Sequence, residues 1–313
     1  LGYDRDVGSG ILAFQKFGAQ KNAQEESLSI SSFGFDLKKE WSYDYNLNGN
    51  KNACEFVSDY TISDHQILLT ISKYTRKNSY EEIEFRSINL KDGTLMWTYK
   101  IEEERKYMFE PRVQFLNGKF YISGRYAKYN SSKRFSEKNK LGLFQIVLDE
   151  TGFEDSKTMS VWDNMKIGMP LNKSGYTDDF YLMSPVAMRT LHDESTVVIS
   201  EFKTVSSFNS YKQGYTFRTK DLVYKLFDSD LKLIDHRIIE KEKSKGVLKS
   251  DFLYAQYLNN KKDLAFFYSD RRKGVENFGK SWILGIAAVI DGKISVDEIN
   301  LETEESYINP IMA

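Results

Sequence analysis

The sequence is poor in the residues that build cross-links, metal clusters and membrane spans. A single cysteine, Cys54, excludes an intrachain disulfide framework. Three histidines and that cysteine are too few for a zinc finger. The longest apolar run, Trp282 to Ile290, has nine residues, whereas a membrane-spanning helix needs about 20. The sequence therefore lacks the signature of a disulfide scaffold, a zinc domain or a helical membrane protein.

The charge balance excludes a further class of partner. The chain has 44 basic and 45 acidic residues, so its formal net charge is −1 at pH 7. Without an excess of basic residues there is no field to attract nucleic acid. The content of 41% hydrophobic and 14% aromatic residues is sufficient for a packed core. Because the chain starts at Leu1 without an initiator methionine, we expect a processed, exported protein of the periplasm, cell surface or exterior.

Short runs of β-branched and aromatic residues, separated by turn residues, predict an all-β protein. Glycine (19) and proline (4) are scarce, so the turns must rely on Asp, Asn and Ser. Two patterns recur, namely a strand that ends in serine and a hairpin around an Asp- or Gly-rich turn. A third pattern is a polar residue that opens a strand. The strand-opening residues are Glu55, Glu110, Ser184, Asp251 and Asn309.

The strand-opening residues recur at a mean spacing of about 64 residues, which indicates a repeat architecture. Four strands per repeat predict a single β-propeller domain of five four-stranded blades. The predicted blades are 1–50 with 306–313, 51–105, 106–165, 180–243 and 248–305. The N-terminal region supplies three strands and Tyr307–Ala313 the fourth, so that a shared blade closes the ring. The alternatives are another blade number, a fragment of a larger propeller, or a different all-β arrangement.

One hairpin resembles a known propeller repeat. The stretch Asp92-Gly93-Thr94-Leu95-Met96-Trp97-Thr98-Tyr99 is similar to the D-G-x-x-x-W-x-Y stretch of quinoprotein-type repeats. The resemblance covers eight residues and implies a propeller without specifying a function, because propellers serve as enzymes, lectins and scaffolds. The stretch is not expected to recur around the other three tryptophans, which are Trp41, Trp162 and Trp282.

A calcium-loop pattern, D-x-[DN]-x-[DN]-G-x5-E, follows the third predicted strand. The ligands would be Asp44, Asn46, Asn48, Asn50 and Glu55. Oxygen ligands at this spacing converge on one Ca²⁺ ion, and Asn50 would contribute its backbone carbonyl. Because the flanking segments are predicted strands, the pattern resembles the calcium loops of integrin-type propellers. The alternative is an Asn-rich turn without metal, since Lys51 occupies a position that is usually aliphatic.

The strand-opening residues form the second candidate site. The first strand of a propeller blade lines the central channel, so these residues are predicted to converge at its mouth and bind a protein or glycan. Because Glu55 is also a calcium candidate, the ligand-binding set is Glu110, Ser184, Asp251 and Asn309. The alternative is that they are solvated strand starts.

An enzyme is the competing hypothesis. The sequence from Glu110-Pro111 to Asn117-Gly118 is similar to a blade opening of arabinanase-type glycosidases, which implies Glu110 and Asp251 as acids of a hydrolase or lyase. His192 and Ser195 lie close together in the sequence, in one tight turn. Side chains placed in this way cannot form the hydrogen-bonded chain of a catalytic triad. We therefore predict a non-catalytic binding or scaffolding protein that acts through its loops and channel mouth.

Overall fold

A computed structural model describes residues 2–3, 11–17, 26–34, 36–47, 53–75, 80–101, 106–129, 140–165, 167–204, 208–209, 214–215, 218–241, 244–245, 254–273 and 280–301. These residues form β-strands and one short 3-10 helix, Trp162–Asn164. None of the helical segments within these ranges is long and apolar enough to cross a membrane.

The strands form five main antiparallel sheets. Sheet 1 contains β1 (Gly2–Tyr3), β2 (Ile11–Phe17), β3 (Glu26–Phe33) and β4 (Lys39–Leu47). Sheet 2 contains β5 (Ala53–Ile62), β6 (Gln66–Thr75), β7 (Tyr80–Asn89) and β8 (Leu95–Lys100). Sheet 3 contains β9 (Tyr107–Leu116), β10 (Lys119–Lys128), β11 (Lys140–Asp149) and β12 (Glu154–Val161).

The remaining strands belong to sheets 4 and 5 and to one small hairpin. Sheet 4 contains β13 (Leu182–Thr190), β14 (Thr196–Lys203), β17 (Arg218–Phe227) and β18 (Leu233–Ile239), and β19 (Ser244–Lys245) also pairs with β17. The small hairpin consists of β15 (Phe208–Asn209) and β16 (Gly214–Tyr215). Sheet 5 contains β20 (Tyr254–Leu258), β21 (Asp263–Lys273), β22 (Lys280–Ile290) and β23 (Lys293–Leu301).

Each sheet follows chain order, which is the strand order of a propeller blade. The predicted fold class, all-β with five four-stranded sheets, is confirmed. The strands of sheets 2, 3 and 5 lie inside 51–105, 106–165 and 248–305, whereas β19 of sheet 4 lies beyond residue 243. The division into blades of one ring stays a prediction. In sheet 1, however, the N-terminal region supplies four strands where the sequence predicts three, because Gly2 and Tyr3 pair with β2. The predicted fourth strand, Tyr307–Ala313, lies outside the described residues.

The chain divides into two compact units. Unit 1 comprises Leu1–Asn139 and Gln145–Lys157, and unit 2 comprises Lys140–Phe144 and Thr158–Ala313. A core cluster of unit 1 contains Ile30, Trp41, Ile67, Leu69, Ile71, Ile88 and Leu90. Unit 2 has two large clusters, one on each face of β17. The first contains Leu222, Tyr224 and Leu226, and the second contains Val223 and Phe227, as expected for side chains that alternate between the faces of a strand.

Aspartate provides the turn chemistry that the scarce glycines and prolines do not. The Asp228 carboxylate accepts the backbone N–H groups of Asp230 and Lys232 at 3.0 and 2.8 Å. Asp149 holds its own turn with the same pattern. Leu231 adopts a left-handed φ of 54° in the Asp228 turn, so the carboxylate stabilises a turn that a non-glycine residue completes.

Two tryptophans of unit 1 dock on the turn of the next sheet. The Trp97 indole N–H donates to the Glu150 carbonyl oxygen at 2.8 Å, and its ring would lie 2.6 Å from a Cβ atom added at Gly152. Trp41 makes the equivalent contacts with the Leu90 carbonyl, at 2.6 Å, and with Gly93. The expectation that Trp41 lies in a different context was therefore wrong.

The sequence did not reveal this similarity because one residue differs between the two hairpins. Asp36 and Trp41 repeat the spacing of Asp92 and Trp97, but Leu37 occupies the glycine position with a φ of 61°. In both turns the aspartate carboxylate accepts the backbone N–H two residues later at 3.0 Å. The two hairpins are thus one motif, which a search for Asp-Gly does not find.

Candidate functional site

The calcium-loop residues lie partly in paired strands. Asp44 and Asn46 belong to β4, where they pair with Ser29 and Ser27 of β3, and Glu55 belongs to β5. The proposed ligands beyond the described residues are Asn48 and Asn50, and the side chains of Asn46 and Glu55 are also outside the description. The calcium site stays a prediction.

The strand-opening residues differ in accessibility. Glu55, Glu110 and Ser184 each lie on the first strand of their sheet, as the repeat predicts. Ser184 is only 2% exposed, so its hydroxyl does not face a ligand in solvent. Asp251 and Asn309 lie outside the described residues. Among the members of this set whose side chains are described, Glu110 is thus the one that is open to solvent.

Glu110 is held by an arginine of the adjacent strand. It lies directly opposite Arg125 of β10 in the register. The Arg125 Nε atom donates to Glu110 Oε2 at 2.6 Å, and Nη2 contacts the same oxygen. Side-chain exposure is 17% for Arg125 and 49% for Glu110. An ion pair of this exposure contributes only about 0–1 kcal/mol to stability, so its main effect is to orient the carboxylate.

A second ion pair connects β9 to β5. Arg112 Nη1 donates to Asp59 Oδ2 at 3.2 Å, with side-chain exposures of 73% and 32%. Next to this pair, the Thr61 hydroxyl donates to the Val113 carbonyl at 3.0 Å. The first strands of sheets 2 and 3 therefore lie side by side within unit 1.

The two ion pairs form one continuous surface. Glu110 and Arg112 are two residues apart in β9 and so lie on the same face of the strand. Arg125, Glu110, Arg112 and Asp59 consequently alternate in sign, and we call these four side chains the charge row. In each pair the less exposed member, Arg125 or Asp59, anchors a more exposed one.

Sequence reasoning found one of these four residues. Glu110 was identified from the repeat, whereas Asp59, Arg112 and Arg125 were not. The alternation of charge around Pro111 was a usable signal for Arg112. Asp59 comes from the preceding repeat, 53 residues away from Arg112, and no local pattern connects the two.

The geometry around Glu110 does not favour the hydrolase hypothesis. Both contacts from Arg125 meet one carboxylate oxygen, Glu110 Oε2, so this oxygen is not free to reach the glycosidic oxygen of a substrate as a general acid must. The proposed partner acid, Asp251, lies outside the described residues. Within the described part of the chain, no group of three or more His, Cys, Asp and Glu side chains could hold a metal ion.

No known protein family matches this sequence, and a search of curated proteins finds no match. Among solved structures, a mutant of Synechocystis apocarotenoid oxygenase is 8% identical with a TM-score of 0.37. That match covers 95% of this chain, which spans 59% of the length of the oxygenase. A neuraminidase-like protein of A/flat-faced bat/Peru is 11% identical, with 93% of both chains covered and a TM-score of 0.34.

The WD40 domain of SCAP from fission yeast is a third structural match. It is 8% identical, with a TM-score of 0.25, over 92% of this chain and 73% of that domain. Because all three TM-scores are below 0.5, no activity or ligand of these proteins transfers to this chain.

Proposed function

We propose that this chain is a non-catalytic binding protein that recognises a protein partner through the charge row. The observation that supports this role most strongly is the pairing of anchored and presented charges. Arg125 and Asp59 hold the exposed side chains of Glu110 and Arg112 in place. Side chains that are already ordered lose less conformational entropy when a partner binds.

The sign pattern indicates what kind of partner fits. Two positive and two negative groups alternate, so the charge row has no net charge and no attraction for a polyanion such as nucleic acid. A protein surface with the opposite alternation would pair with all four groups. Electrostatic complementarity of this kind determines specificity and the rate of association more than affinity.

The proposal is tested by exchanging the two charges of one pair in the charge row without removing them. The double variant Asp59→Arg/Arg112→Asp keeps an internal ion pair but reverses the sign that each position presents. We expect a partner captured by the unmodified chain from extracts of its source organism to be lost with this variant. The measurement is the amount of partner retained, followed by the affinity for the purified partner by calorimetry.

A matched ion pair provides the control. Lys119 and Asp155 also form a half-exposed pair between strands of unit 1, at 3.3 Å. The swap Lys119→Asp/Asp155→Lys should leave capture unchanged. Equal retention by the charge-row swap and by the unmodified chain would refute the proposal.

A further inference from the structure

The charge row is complementary to itself. Its members, in spatial order, are Arg125, Glu110, Arg112 and Asp59, and their signs are plus, minus, plus and minus. A rotation of the row by 180° reverses the order of the signs. A second row laid over the first in this orientation therefore places an opposite charge at each of the four positions. A two-fold axis produces this arrangement, because in an isologous interface residue i meets residue j and residue j meets residue i.

The two central members of the row are the most accessible. The exposed fraction of the side chain is 73% for Arg112 and 49% for Glu110, and these two are the exposed residues of β9. The register between β9 and β10 is uninterrupted around them, so both side chains leave the same face, with Cα atoms about 6–7 Å apart. Ser123 lies opposite Arg112 in the register, and its side chain is too short to cover the guanidinium. The centre of the row thus presents one acid and one base side by side.

Each central residue also has an atom available for an external partner. Both contacts of Arg125 are with Glu110 Oε2, and Arg112 contacts Asp59 through Nη1. Among the residues that the structure describes, none contacts Glu110 Oε1 or Arg112 Nη2. Because a carboxylate has about four lone-pair sites and a guanidinium has five N–H donors, each group can hold an internal and an external partner together.

We propose that the protein partner of the charge row is a second copy of this chain, bound about a two-fold axis that passes between Glu110 and Arg112. This inference rests on the proposed function, because it names the partner of the same surface. Glu110 of each copy pairs with Arg112 of the other, and Arg125 faces Asp59 at both ends of the row. A second copy is the partner whose complementary pattern this chain itself encodes. Exposed charge pairs determine orientation more than affinity, so we expect a reversible dimer with a Kd between about 1 µM and 1 mM.

Sedimentation equilibrium of the purified chain tests the association. The apparent mass should rise with concentration from the 36.4 kDa of one chain towards twice this value. An increase in NaCl from about 0.05 to about 1 M should weaken the dimer, because exposed charges are screened at high ionic strength. A chain that sediments as a monomer at concentrations up to about 1 mM would overturn the inference.

Two charge reversals test the two-fold pairing. In a dimer of Glu110→Arg, arginines meet at both central contacts, and in a dimer of Arg112→Glu, glutamates meet there. Each variant alone should therefore dimerise at least tenfold more weakly than the unmodified chain. An equimolar mixture should dimerise again, because one copy presents two arginines and the other two glutamates. The double variant Glu110→Arg/Arg112→Glu should also form a dimer with itself.

Lys119→Glu is the matched control, since it makes the same change of charge as Arg112→Glu at a half-exposed position of β10. It should leave the dimer unchanged. Circular dichroism melting should show that each single variant is folded. Dimerisation that is equally strong in the single variants, or a mixture of folded variants that stays monomeric, would overturn the inference.

Failure of this inference can be distinguished from failure of the proposed function. The exchange Asp59→Arg/Arg112→Asp converts the signs of the row to plus, minus, minus and plus, which no longer match their own reversal, so it should also abolish self-association. If the unmodified chain is a monomer but captures another protein that this exchange releases, the second copy is excluded and the proposed function stands.

Discussion

The Nζ atom of Lys225 donates to the hydroxyl oxygen of Ser200 at 2.8 Å, and both side chains are fully buried in sheet 4. The other close neighbours of this amine are the sulfur of Met183, at 3.3 Å, and the ring of Trp162, at 6.0 Å. Burial lowers the pKa of Lys225 to about 7. A lysine thus occupies a core position between Val223 and Phe227, on the face of β17 that packs into an apolar cluster.

The first prediction is that Lys225 makes stability depend on pH. Its pKa is about 7 in the folded chain and 10.5 when unfolded. Between these values the unfolded chain binds a proton that the folded chain does not, so the free energy of unfolding should rise with pH across this window. Below pH 7 the folded chain carries a buried charge and the full destabilisation is present.

The variant Lys225→Met checks this prediction. It should raise the free energy of unfolding at pH 7 by roughly 2–4 kcal/mol, because it replaces a poorly solvated amine with an apolar side chain of similar length. The rise between pH 7 and 10 should also disappear in denaturant titrations. Lys128→Met, at an exposed position, should change neither. An unaltered pH profile in Lys225→Met would show that another group is responsible.

The second prediction concerns the contact between Trp97 and Gly152. Gly152 has a φ of 85° and no space for a Cβ atom beside the indole ring. Gly152→Ala should lower the free energy of unfolding by roughly 2–4 kcal/mol, from backbone strain and displacement of the ring.

Gly292 separates these two contributions. It has a φ of 71° but no atom within 4 Å of an added Cβ. Gly292→Ala should therefore cost only the backbone strain, about 1 kcal/mol. If chemical denaturation shows equal losses for both variants, the docking of Trp97 contributes nothing measurable.

The third prediction distinguishes a binding protein from a hydrolase. Glu110→Gln keeps the shape of the side chain but removes the charge that Arg125 holds. Stability should change by less than about 1 kcal/mol, because the pair is half-exposed, while partner capture should fall. Two quantities are measured for the unmodified chain and for the variant, namely partner capture and the hydrolysis of a panel of glycans. Cleavage that disappears in Glu110→Gln would favour the enzyme.

The fourth prediction concerns calcium. If the loop that begins at Asp44 binds Ca²⁺, free calcium should raise the melting temperature through mass action. Asp44→Ala should abolish that rise and leave the melting temperature in chelator nearly unchanged. Asp297→Ala, another exposed acidic position in an edge strand, should retain it. Identical melting curves of the unmodified chain in chelator and in calcium would show that the loop is a turn that binds no calcium.

The sequence by itself determined the fold class, which is all-β with five four-stranded antiparallel sheets. Strand periodicity and turn chemistry are local properties, and the Asp149 and Asp228 turns show how a single carboxylate specifies a hairpin. The spacing of strand-opening residues located the first strands of sheets 2, 3 and 4. It also placed Glu110 on the first strand of sheet 3.

Only the tertiary structure decided which side chains meet and which are buried. Asp59 and Arg112 come from different repeats, so their ion pair depends on the packing of β5 beside β9. Ser184 has the same repeat position as Glu110 but is buried, and Lys225 lies inside an apolar cluster although lysine is normally exposed. The physical reason is that local sequence encodes backbone geometry, whereas burial and charge pairing arise from segments that are distant along the chain.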